Sequence, residues 1–222
     1  EPDRMTASFK KKRFAFLMYP EYEELDLIGP WEMATMWRDY ADGPACFTLS
    51  QTGAPMTCAK GLKTAPDHGF ADAPAFDYLL VPGGFAALRE AENDAMNAFL
   101  KESAARTEAM LSVCTGSLMF EAAGLLHGRK ATTHWKLLDG LRRKPGVEVV
   151  EERYVKDGPV WTSAGVSAGI DMTLAFIADV AGAEAAGVVQ HNAEYYPDGC
   201  LYGKAARSET SPRYVREIVR AR

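Results

Sequence analysis

AMLSVCTGSLMFEAAGLL, from Ala109 to Leu126, is the stretch that decides the fold. Met110, Leu111 and Val113 form an apolar run too short for a helix and typical of a buried parallel strand. Cys114 stands at the carboxyl end of that strand. Thr115, Gly116 and Ser117 then make a tight turn, and Leu118, Met119, Ala122, Ala123, Leu125 and Leu126 recur near helical spacing until Gly124 and Gly128 punctuate the end. A strand, a sharp turn and a helix start therefore meet at one thiol. The unpaired N–H groups of a first helical turn favour an anion, so this position predicts a lowered thiol pKa and a reactive Cys114. The arrangement follows the logic of the G-x-S-x-G elbow of hydrolases, with Cys in place of Ser and without the first Gly.

The rest of the chain is ordinary by composition: 222 residues, 47% hydrophobic and 25% charged, enough for one substantial core. Residues 1–12 read as a lead-in, its first four residues an addition before Met5, and 13–222 as one domain. A formal charge of -5 and the lack of a compensating basic stripe argue against nucleic acid as a partner. The basic run Lys10 to Arg13 reads as a solvated approach to the first strand. No apolar stretch reaches the roughly 18 residues of a membrane helix, and no signal-peptide core opens the chain, so a cytoplasmic protein with no membrane contact is expected. Cys46, Cys58, Cys114 and Cys200 are far apart without C-x-x-C, which suggests neither a disulfide framework nor a thiolate zinc site. His68, His127 and His191 have no ligand spacing, so no metal is expected.

In order, Phe14 to Tyr19 predicts a buried strand ended by Pro20, and Pro30 suits the first turn of a helix to about Arg38, which puts Asp26 just before that helix. Cys46 to Ser50 predicts a strand, and the segments 56–58 and 62–64 a hairpin. Phe76 to Val81 predicts a buried strand running into Pro82-Gly83-Gly84, where the glycines free the backbone to turn. A helix from about Asn93 to Arg106 follows. Beyond the quoted stretch, Lys130 to Thr133 predicts a strand ending at His134, the segments 147–155 and 160–163 a hairpin around Lys156-Asp157-Gly158-Pro159, and Ile170 to Ala181 and Ala183 to Tyr195 two helices. Alternating strands and helices give an α/β fold with a mostly parallel sheet, whose sites lie outside the carboxyl ends of the strands. Asp26, Gly83-Gly84, Cys114 and His134 all fall there.

Five separated motifs carry a resemblance: LDLIGPWE, VPGG, SVCTGS, AAGLLHGRKATTHW and SAGVSAGIDMTLAF. In this order, over roughly Arg13 to His191, the chain resembles the DJ-1/PfpI superfamily, most closely its isocyanide (isonitrile) hydratase branch. The resemblance implies a flavodoxin-like three-layer sandwich, usually an obligate homodimer, with a cysteine nucleophile and no cofactor. It implies that Cys114 is the nucleophile and Asp26 its acidic partner, and that the backbone N–H groups of Thr115 and Gly84 form an anion-stabilising pair. Thr115 stands where the family's proteases carry His, and Asp26 where glyoxalase and deglycase members generally carry Glu. Glu32 reads as a solvated first-turn residue, and His134 as a structural group. Met33, Met36 and Trp37 read as core or interface, and Tyr195, Tyr196 and Tyr202 as shaping a pocket or interface.

The expected activity is hydration of an isocyanide to an N-substituted formamide through a Cys114 thioimidate. Two alternatives stand beside it: glyoxalase, deglycase or amidase chemistry, and a ligand- or redox-sensing domain like the N-terminal domain of AraC-type regulators. Against a complete regulator, the last family-like helix is followed only by a short Arg-containing tail.

Overall fold

The computed structural model describes residues 9–199, 201–203 and 205–220; Cys200 lies outside them. In chain order the elements are β1 (Arg13–Met18), α1 (Glu24–Tyr40), β2 (Ala45–Ser50), β3 (Met56–Thr57), β4 (Lys63–Thr64), β5 (His68–Gly69), β6 (Tyr78–Val81), α2 (Ala87–Ala91), α3 (Asp94–Arg106), β7 (Ala109–Val113), α4 (Gly116–Ala122), β8 (Arg129–Ala131), α5 (Leu138–Arg142), β9 (Val147–Val149), β10 (Tyr154–Asp157), β11 (Val160–Ser163), α6 (Ala168–Ala181), α7 (Ala183–Asn192) and α8 (Arg213–Arg220). The main sheet has the order β10-β11-β7-β6-β1-β2-β5 and is parallel except for β10 at its edge. Helices cover both sides, with α1, α6 and α7 packed together and α2, α3 and α4 forming another group. This is a flavodoxin-like α/β sandwich.

The central strands read as continuous apolar runs because both of their faces are covered. Tyr78 to Val81 and Ala109 to Val113 are buried at every position. Between the sheet and the α1–α6 side, Trp37, Phe14, Tyr78 and Phe176 interlock, with the Phe176 ring edge-on to all three neighbours at 5.0 to 6.4 Å. Such side chains stabilise by about 1.5–3 kcal/mol each through removal of apolar area from water. Met33 and Trp37 belong to this core, and Met36 packs against it.

Two expectations need correction. Helix α1 begins at Glu24, so Asp26 lies in its first turn and Pro30 inside it. Pro30 removes only the hydrogen bond to the Asp26 carbonyl, while a tertiary clip holds the first turn: Glu23 N–H donates to Gly83 O at 2.9 Å and Gly83 N–H to Asp26 Oδ2 at 2.8 Å. The first arm of the hairpin at 147–155 is split in two. Val147–Val149 pairs in parallel with β8 in a separate small sheet, whereas Tyr154–Asp157 pairs antiparallel with β11. Between them Glu151 turns outward to Arg142 and Glu152 to Arg213, and charges so paired at the surface interrupt the strand.

All strands but β10 of the main sheet run the same way, so the ends of β1, β6 and β7 share one edge. The turn after β6 is wedged against the elbow after β7: a Cβ on Gly116 would stand 2.6 Å from Val81 O and 3.0 Å from Pro82 O. Replacing Gly116 with Ala forces this backbone contact apart. We expect Gly116→Ala to destabilise by about 1–3 kcal/mol, read as a lower urea midpoint with an unchanged slope.

Candidate active site

Cys114 has φ of +57°, a left-handed conformation that side chains other than Gly seldom adopt. The surroundings hold it there. Its N–H is shared between Ser163 O and Ala164 O, each at 3.2 Å, and its carbonyl accepts from the hydroxyls of Ser117 at 3.1 Å and Thr133 at 3.0 Å. A backbone pinned from four directions aims the sulfur at a cavity of about 320 Å³ whose lining includes Gly84, Phe85, Leu88, Thr115, His134 and Val166. Its walls are mainly apolar, and Glu23, Lys60 and Lys136 stand at its polar edge, the first two joined by a 2.7 Å ion pair.

Asp26 sits behind the cysteine and is fully buried. One oxygen accepts from Gly83 N–H. The Cys114 thiol stabilises the ionised carboxyl group without a well-aligned hydrogen bond, and Oδ1 keeps no partner of ordinary geometry. Burial dominates the carboxyl group and, with the Glu23 charge, raises its pKa to about 7 against the Gly83 bond.

The thiol departs from expectation. Burial first, then the Asp26 charge, push the Cys114 pKa up, although N–H groups of Thr115 and Val166 favour the thiolate. Two backbone donors do not offset loss of water and a neighbouring carboxylate. The balance therefore favours the pair's negative charge on Asp26 and disfavours a resting thiolate on Cys114. Cys46 is also raised, to about 12, by burial.

Thr115 and Gly84 meet differently from a simple donor pair. Thr115 Oγ1 accepts from Gly84 N–H at 2.8 Å and donates to Gly84 O at 2.7 Å, so the Gly84 N–H is already engaged. The donors facing the sulfur are those of Thr115 and Val166. Val166 carried no signal in the sequence: its φ is +49°, which a β-branched side chain rarely tolerates. Gly83 admits no side chain, because a Cβ there would lie 2.5 Å from Thr115 N.

His134 lines the cavity after the end of β8, with its ring packed over Gly165. Its Nδ1 accepts from Lys136 N–H at 3.3 Å, and burial together with the Lys136 charge lowers its pKa. The imidazole is thus neutral, with the proton on Nε2. Glu32 is exposed and outside the cavity. Among the described residues no group of His, Cys, Asp and Glu could hold a metal, and no helix is long and apolar enough to cross a membrane. Cys58 is buried beside Thr64, and Tyr196 and Tyr202 are exposed away from the cavity.

The DJ-1/PfpI family profile matches residues 12–179, and so covers β1 through most of α6. The chain belongs to the DJ-1/PfpI family. It is 36% identical over 185 residues to isonitrile hydratase of Pseudomonas putida, covering 83% of this chain and 79% of that protein. It is 32% identical over 175 residues to the HTH-type transcriptional regulator CdhR of Pseudomonas aeruginosa, covering 78% of this chain and 52% of the regulator. The crystal structure of a ThiJ/PfpI family protein from Pseudomonas syringae superposes with a TM-score of 0.83 at 31% identity, over 99% of this chain and 90% of that one.

The Asp26 pKa links this DJ-1/PfpI site to stability. A carboxyl raised in the folded state favours folding only while protonated, so its contribution is whole below its ordinary value of 3.8 and lost as pH rises through about 7. At about 1.4 kcal/mol per unit the difference approaches about 4 kcal/mol. Asp26→Asn should therefore match the parent near pH 4 and exceed its stability increasingly toward pH 8, as measured by urea unfolding across that range. A constant gap at all pH values would contradict the raised carboxyl.

Proposed function

We propose that the protein hydrates isocyanides to N-substituted formamides. The observation that carries this reading is a fully buried carboxyl group with a pKa of about 7, coupled to a pinned thiol that opens on a small, mainly apolar cavity. An isocyanide is neutral and compact at its reacting carbon, and it must gain a proton on that carbon. Similarity to the Pseudomonas putida isonitrile hydratase supports the same reading.

In the proposed cycle, the Asp26 carboxylate takes the thiol proton as Cys114 sulfur bonds to the terminal carbon of R–N≡C. Asp26 returns that proton to the carbon, giving the thioimidate R–N=CH–S–Cys114. Asp26, ionised again, then takes a proton from water as its oxygen bonds to the same carbon, and the nitrogen is protonated from Asp26. The tetrahedral adduct collapses: the C–S bond breaks, the hydroxyl proton passes by way of Asp26 to sulfur, and R–NH–CHO leaves with the thiol restored. The N–H groups of Thr115 and Val166 stabilise charge on sulfur at bond formation and release. Gly84 acts through its clasp on Thr115 and joins the donors only if that hydroxyl swings away. No cofactor is required by this cycle.

The reading extends to one catalytic unit from Arg13 onward acting as a cytoplasmic homodimer. Exposed Phe85 and Leu88 at the cavity mouth suit coverage by a second subunit. A second reading, a domain that binds its ligand without turnover, is favoured by similarity to the regulator CdhR.

Formamide release from an aryl isocyanide, with methylglyoxal as a competing substrate, separates these readings. Wild type should release formamide, and Cys114→Ser and Asp26→Asn should lose activity with circular dichroism unchanged. Asp26→Glu should fall about a hundredfold, since one methylene displaces the acid by about 1 Å. The wild-type rate should rise with pH through about 7 as Asp26 ionises. Turnover of methylglyoxal alone points to glyoxalase chemistry, and isocyanide binding without turnover to a sensor.

A further inference from the structure

Tyr19 follows β1 and is 1% exposed. Its hydroxyl donates to the carbonyl oxygen of Pro82 at 2.7 Å. That carbonyl belongs to the same peptide unit as the Gly83 N–H, which donates to Asp26 Oδ2 at 2.8 Å. A peptide group is conjugated, so a donor on its oxygen draws electron density from nitrogen and makes its N–H a stronger donor. The hydroxyl, the peptide and the carboxylate thus form one chain with every member out of water.

We infer that Tyr19 is a positioning residue that tunes the proton affinity of Asp26 through the Pro82–Gly83 peptide, without touching substrate. The Tyr19 hydroxyl is suited to remain a donor, because burial first, and then the charge of Asp26, keep it protonated. The other charged groups around Asp26 are Glu23 and Lys60, which pair with each other, and Glu24, which accepts from the backbone N–H groups of Lys60 and Leu62. None of them contacts the Tyr19 hydroxyl, so removing that hydroxyl isolates the relay. Its consequence for rate rests on Asp26 being the proton carrier; its consequence for Asp26 titration does not.

The test is ¹³C-carboxyl NMR titration of Asp26 in the substrate-free protein, with the resonance assigned by its loss in Asp26→Asn. In Tyr19→Phe the Gly83 N–H is a weaker donor, the carboxylate is less stabilised, and the midpoint should move up by about half a pH unit. With 3-fluorotyrosine at position 19, which keeps the shape and strengthens the donor, the midpoint should move down. Tyr22→Phe removes a neighbouring hydroxyl that bonds to Thr64 at 3.4 Å, and should leave the midpoint in place. A midpoint unmoved in both Tyr19 variants, or moved the same way in both, overturns the inference. If Tyr19→Phe does not fold, the fluorotyrosine protein decides alone. A merely structural Tyr19 would lower stability and rate at every pH without moving the midpoint. The acid limb of the hydration rate should follow the NMR midpoint; absence of hydration in wild type would refute the proposed activity and leave the titration result standing.

Discussion

The three-residue turn Pro82-Gly83-Gly84 is the constraint on which the site depends. Its backbone makes two reciprocal clips, one to the start of α1 through Gly83 with Glu23 and Asp26, the other to the elbow through Gly84 and the Thr115 hydroxyl. Each clip joins segments that are remote in sequence, so the turn sets the spacing between Cys114 and Asp26. This also explains why position 83 must be Gly: the approach to Thr115 leaves no volume for a methyl group. A parallel sheet supplies the frame, since it gathers the ends of β1, β6 and β7 at one edge.

Electrostatics at that edge is a competition between two buried acids for one charge. Burial raises both, and the first negative charge raises the other group further. Asp26 wins because the ordinary pKa of a carboxyl lies far below that of a thiol, even though the sulfur faces two backbone donors and the carboxylate one. A protonated thiol beside a carboxylate of pKa about 7 is a different device from a standing thiolate. It also leaves Cys114 less open to oxidation, because oxidation follows thiolate character and exposure.

Two of the five residues other than glycine with positive φ among the described residues, Cys114 and Val166, lie at the cavity. The Val166 N–H is directed at the Cys114 sulfur. Conformations of positive φ cost of order 1–3 kcal/mol each and persist only where neighbours over-determine them. Around Cys114 the neighbours are four hydrogen bonds to its own peptide groups. Because the scaffold rather than the reacting atoms carries these constraints, one frame can serve relatives named as a hydratase and as a regulator.

The sequence by itself determined the order of the central strands and their longer flanking helices, and the place of the thiol. Short-range rules suffice for these, since apolar runs such as Leu79 to Val81, the glycines at 83 and 84, and the helical spacing after Ser117 act over a few residues. It also placed Cys114 at a strand end and Asp26 on the carboxyl side of β1, because a parallel sheet puts those ends together. Tertiary structure decided the start of α1, the split of residues 147–157 between two sheets, the engagement of Gly84, the donor role of Val166 and the protonation of Cys114. Each depends on partners far along the chain, as Gly83 is 57 residues from Asp26. Local pattern predicted a lowered thiol pKa because it registers a turn and a helix start. It cannot register the removal of water and the arrival of a carboxylate, and those two effects, created only when α1, the glycine turn and the elbow pack together, outweigh the backbone donors.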